Sequence, residues 1–105
     1  MKILRFDRLT DLVVREKARN AKRGATLERR VAAFRRVVET AAWRNPADAK
    51  RVFGAADFVG GNRLVFDLCG NSYRVVAKVN YEIGVVELRF AGGHAEYDAI
   101  DARKV

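Results

Sequence analysis

The sequence predicts an α+β fold, with an N-terminal strand and two helices, plus a short third, packed on one face of a mainly antiparallel sheet. Three observations predict it. Apolar residues recur at helical spacing through the first half of the chain, the period then changes to two, and glycine-containing turns cut the alternating stretch into consecutive strands. At 105 residues, half of them hydrophobic, the chain can build one real core but has no room for a second or for a long linker. Residues 1–105 are therefore expected to form a single domain.

The elements follow in order. A short alternation at Lys2 to Phe6 reads as the first strand. Asp7 is a candidate cap for a helix running to about Asn20, with Leu9, Leu12 and Val13 inward. Gly24 is expected to break it, and Thr26 to cap the strongest helix, where Leu27, Val31, Phe34, Val38 and Ala41 form a core stripe at steps of four and three. Arg29, Arg36 and Trp43 then fall on the far side. Asn45-Pro46-Ala47-Asp48 starts a short helix: Asn45 caps, Pro46 suits the first helical position, and Asp48 lies where the macrodipole favours a carboxylate. It should end near Phe53-Gly54. Arg63 to Cys69 alternates, Gly70-Asn71 signals a tight hairpin, and Ser72 to Tyr81 alternates again. Ile83-Gly84 makes the next turn, and Val85 to Ala91 gives a third strand of a meander before Gly92-Gly93 ends it.

The hairpin registers follow from the turns. Pairing Cys69 with Ser72 sets Leu64, Phe66 and Leu68 opposite Ala77, Val75 and Tyr73, one apolar face for the helices to cover. Pairing Glu82 with Val85 adds Val86, Leu88 and Phe90 to that face, opposite Tyr81, Val79 and Ala77. On the other face Asp67 meets Arg74, a favourable pair, and Lys78 falls between Arg63 and Arg89 in one cationic row. Like charges directly opposed destabilise a sheet, so such a row is more easily understood with an anion upon it; the alternatives are cationic side chains splayed into water and a one-residue slip, which would dissolve the row.

The chain carries a net charge of +8, and the whole excess lies in residues 1–44; residues 45–105 are balanced. From Arg15 to Arg23, the cations Arg15, Lys17, Arg19, Lys22 and Arg23 are offset only by Glu16. Each alone reads as part of a solvated helix end; together they set up a field that favours phosphate or an acidic partner. A single cysteine, Cys69, excludes an internal disulfide framework and a Cys-rich zinc site, and a single histidine, His94, excludes a multi-histidine metal centre. No cofactor is expected. The charged N-terminus is unlike a signal peptide and no apolar run approaches the ~18 residues of a membrane span. The expectation is a cytoplasmic protein with no membrane partner.

The third strand delivers Arg89, His94, Glu96, Tyr97 and Asp98 to the rim of the basic face. Metal-free RNA cleavage needs a base for the 2′-hydroxyl, an acid for the leaving 5′-oxygen and cations for the phosphorane. Arg74, Lys78 and Arg89 are candidates for the charge, His94 and Tyr97 for proton transfer. The bland alternatives are a surface histidine and a docked tyrosine.

Trp43-Arg44-Asn45-Pro46, Ala56-Asp57-Phe58-Val59-Gly60, the block Val65 to Val76 (VFDLCGNSYRVV) and the block Leu88 to Asp98 (LRFAGGHAEYD) together resemble the HigB toxin family, within the RelE/ParE-like superfamily. The resemblance covers about residues 40 to 101 in motif and the N-terminal helices in pattern. It implies a RelE-like toxin of a type II toxin–antitoxin pair, an mRNA interferase that cuts translated mRNA on the ribosome and is neutralised by a HigA-like helix-turn-helix antitoxin. By the same resemblance Arg74 holds the scissile phosphate, His94 occupies the post-strand catalytic position and Tyr97 matches the active-site tyrosine. RelE has two lysines in the preceding strand where this chain has Val65-Phe66-Asp67-Leu68, so the general base is open. His94 suits either proton-transfer role, and Lys78 or Arg63 compensates for charge alone. Arg63, Lys78 and Arg89 are the expected phosphate-binding residues on the sheet, and Arg15, Lys17 and Arg19 those on the helices. The alternatives are a ParE-like gyrase-blocking toxin and a non-catalytic module that binds RNA or a protein partner.

Overall fold

Chain order and pairing set where each strand lies. The computed structural model describes residues 1–105, in the order β1 (Lys2–Leu4), α1 (Asp7–Arg19), α2 (Ala21–Thr40), α3 (Pro46–Val52), β2 (Asp57–Gly60), β3 (Arg63–Leu68), β4 (Tyr73–Asn80), β5 (Val85–Gly93) and α4 (His94–Asp98). The five strands form one sheet in the order β1-β5-β4-β3-β2, with β1 parallel to β5 and every other pair antiparallel. One core joins Leu9, Leu12 and Val13 of α1 and Leu27, Val31, Phe34 and Val38 of α2 to the inward residues of β3, β4 and β5. The α+β expectation, helices on one face of a mainly antiparallel sheet, is met. No helix is long and apolar enough to cross a membrane.

The helix boundaries differ from the sequence expectation at three places. Asp7 does not cap α1. It occupies the first turn, and its carboxylate accepts from Arg5 Nε at 3.0 Å. The break between helices is at Asn20, not Gly24: Asn20 is extended (φ −157°), and its side chain accepts from the Arg23 amide at 3.0 Å. An Asx cap of this kind starts a helix at once, so α2 begins five residues before Thr26 and takes Gly24 into its interior. Thr26 is a helix-interior residue whose hydroxyl donates to the Lys22 carbonyl. Finally, α2 ends at Thr40, so helical periodicity no longer governs Trp43, which folds back, 5% exposed, and stacks on Phe66 with centroids 6.0 Å apart. Asn45 and Pro46 start α3 as expected, with Asn45 Oδ1 accepting from the Asp48 amide.

The first hairpin has the expected register, with Arg63 opposite Lys78, Phe66 opposite Val75 and Asp67 opposite Arg74. The second is offset by two residues. Asn80 Oδ1 accepts from the amides of Glu82 (3.1 Å) and Ile83 (3.3 Å), which ends β4 at Asn80 and leaves a four-residue turn. Val79 therefore meets Val86, Ala77 meets Leu88, and Lys78 meets Glu87 in place of Arg89. An even offset keeps Val86 and Leu88 inward. A bulge then falls at Arg89, so that Phe90 lies opposite Val76, on the face away from the helices. The expected cationic row thus loses Arg89: Glu87 offsets Lys78 on one side while Arg63 still opposes it on the other, which weakens the case for an anion there. Three extensions were not expected: the edge strand β2, the continuation of β5 through Gly92 and Gly93, and α4. The first strand ends at Leu4, short of Phe6.

Candidate active site

Alternation along β4 points Tyr73 into the core and Arg74 out of it. The Tyr73 hydroxyl donates to Glu16 Oε1 at 2.6 Å, which ties the start of β4 to α1, and burial first, then the bond to Glu16, pushes the phenol up to about 12. Arg74 lies on the opposite face with only 19% of its side chain exposed. Its Nε is 3.0 Å from Asp67 Oδ1 across the hairpin, yet Nε has no properly directed hydrogen bond. The contact is an ion pair that orients the guanidinium without occupying it. The guanidinium carbon sits 5.0 Å from the centroid of the Tyr97 ring.

Gly92 is opposite Arg74, and a Cβ there would lie 2.8 Å from the Phe90 ring and 3.3 Å from the Glu96 carboxyl. Glycine is what lets that ring approach. Phe90 and Tyr97 have centroids 6.3 Å apart, so Arg74, Phe90 and Tyr97 form one cluster at this end of the sheet. α4 follows at once. The His94 amide donates to Ser72 O at 3.2 Å, and Glu96 Oε1 accepts from the Gly93 amide at 3.1 Å, closing the first turn. Three residues apart on one short helix, His94 and Tyr97 share a side. His94 is half-exposed, with Nε2 3.4 Å from Asp98 Oδ2.

Beside His94 lies a cleft of about 470 Å³ lined in part by Arg15, Arg19, Arg23, Ser72 and Glu96. Arg15 closes one side by a two-bond ion pair with Glu96 (Nη1–Oε2 3.0 Å), which, followed by the Gly93 amide, holds the Glu96 carboxyl below the usual carboxylate range. Arg19 reaches Glu16 Oε2 at 3.3 Å.

The structure thus brings Arg74 and Tyr97 into contact and sets His94 on the next turn, at the cleft. It does not bring the other sheet cations there. Lys78 and Arg63 lie four residues along the ladder from Arg74, roughly 14 Å away. The Arg63 guanidinium donates to Val105 O at 2.7 Å, and Arg89 pairs with Glu87 at 3.1 Å. On α1, Lys17 turns to Glu28 at 2.8 Å. Ser72, Glu96 and Arg23 were not among the expected catalytic or phosphate-binding residues, although Glu96 was placed at the rim and Arg23 in the basic run. Glu96 left one further signal there, a carboxylate three residues after the cap position Gly93.

A five-stranded, mainly antiparallel sheet with helices packed on one face is consistent with a RelE-like fold. Residues 27–100 match the family of HigB toxins, the RelE-like toxic component of a toxin–antitoxin system. The chain belongs to that family. Its role is that of a toxin, with an antitoxin as its partner. No curated protein matches the chain.

Proposed function

We propose that the chain is an endoribonuclease that cuts translated mRNA on the ribosome in the cytoplasm, and that its antitoxin is a HigA-like helix-turn-helix protein. The observation that carries this reading is the meeting of Arg74 and Tyr97 at one end of the sheet with His94 on the adjoining turn. The RNA 2′-oxygen attacks phosphorus and loses its proton to a base, the P–O5′ bond breaks, and an acid protonates the departing 5′-oxygen, leaving a 2′,3′-cyclic phosphate and a 5′-hydroxyl. Arg74 stabilises the charge on the phosphorane, its guanidinium oriented in advance by Asp67. His94 and Tyr97 are the proton-transfer pair. Arg15 and Arg19 guide the strand along the cleft, with Arg63, Lys78, Arg89 and Lys17 adding longer-range attraction to phosphate.

Induction in cells tests the proposal. Wild-type chain should arrest growth with rapid loss of translation, and His94→Ala or Arg74→Ala should relieve the arrest while antitoxin binding persists. Arrest accompanied by an SOS response and indifferent to these substitutions would assign the chain to gyrase-blocking toxins. RNA binding without cutting, ribosomes present, would make it a non-catalytic module.

A further inference from the structure

The charge that makes the N-terminal half basic is not distributed as the sequence suggests. On α1, Arg15, Lys17 and Arg19 are each held by a carboxylate. On α2 the two carboxylates, Glu28 and Glu39, turn to Lys17 and Arg35. Lys22, Arg23, Arg29, Arg30 and Arg36 are left exposed with no carboxylate partner; no other element carries more than one such cation. Lys22, Arg29 and Arg36 recur every seven residues, hence along one line opposite the core stripe, about 21 Å long. Arg23 and Arg30 form a second line beside it, and Arg23 also lines the cleft next to His94.

We propose that this outer face of α2 docks the phosphate backbone of double-helical RNA, apart from the site that cuts. The inference rests on the nuclease reading insofar as it takes RNA as the partner. A protein partner would want apolar area at the centre of its interface, and the exposed large apolar side chains, Leu4, Val14, Val52, Phe58 and Ile83, all lie on other elements. A single strand would want aromatic platforms for its bases, and α2's outer face has none. A double row of cations along one helix, four of the five arginine, fits the remaining case, a duplex recognised through its backbone. Docked there, a folded RNA presents its neighbouring strand to the cleft at Arg23.

The test is anisotropy of a labelled 16-base-pair RNA duplex titrated with the full chain over a salt series. Two variants each lose three charges: Arg29→Gln/Arg30→Gln/Arg36→Gln on α2, and, as a control, Arg44→Gln/Arg51→Gln/Lys104→Gln at exposed cations outside α2 and the cleft. The α2 variant should bind at least tenfold more weakly at 100 mM salt, with a salt slope lower by about one per cation removed. The control variant should lose less than threefold. Equal losses, or a larger loss in the control, would overturn the proposal, as would unchanged duplex affinity in an α2 variant that no longer binds the antitoxin. Since the readout is binding, a wild-type chain that holds duplex but cuts nothing defeats the nuclease reading alone, and one that cuts yet ignores the α2 change defeats this inference alone.

Discussion

Tyr73 and Arg74 are neighbours with opposite tasks. The first is sealed against Glu16 in the core, the second lies on the outer face against Tyr97, and the alternation of a single strand separates them. Tyr73→Phe removes a donor from a buried carboxylate and should cost about 1–3 kcal/mol of stability at pH 7. A phenol raised from 10 to about 12 gives stability that is full below pH 10 and lost as pH rises towards 12. Denaturant unfolding should therefore show the gap between wild type and variant narrowing from pH 7 to pH 11, and a gap that stays constant would show that burial and the Glu16 bond do not raise this phenol. At this scale Arg74, His94 and Tyr97 were legible through their motif blocks. Glu96 was legible only as a rim carboxylate three residues after Gly93, and Ser72 not at all, because a reach to Arg15 across 81 residues and a backbone carbonyl have no local pattern.

Elements were legible where one periodicity ruled and were misread where a polar side chain intervened. Asn20 and Asn80 each moved a boundary by capping nearby amides. A period-two pattern is blind to an offset of two, so the second hairpin kept its inner face while Lys78 exchanged Arg89 for Glu87. Phe90 changed face because a bulge inserts one residue, which leaves no compositional trace. Gly24 is the most instructive case: a glycine read as a breaker is where α1 and α2 touch, for a Cβ there would fall 2.5 Å from Lys17 Cα. Gly24→Ala improves helix propensity by about 1 kcal/mol, but two backbones must separate to admit it, at about 1–3 kcal/mol. Thermal unfolding should give a lower Tm for the variant; a higher one would mean that the helices yield freely.

For the whole molecule, net charge and site are separate properties. The excess of positive charge belongs to residues 1–44, and its unpaired part gathers on α2, whereas Arg74, His94 and Tyr97 lie in the charge-balanced part. Binding and cutting should accordingly respond to different substitutions. The most direct measurement is the rate at which the purified chain cuts a defined message held on translating ribosomes, with the ends mapped by primer extension. The account predicts cleavage by wild type, and a rate on bound substrate lower by ~10²–10⁴ in His94→Ala and Arg74→Ala, with KM little changed. Undiminished cleavage in both variants, or an intact message while translation stops, would contradict it.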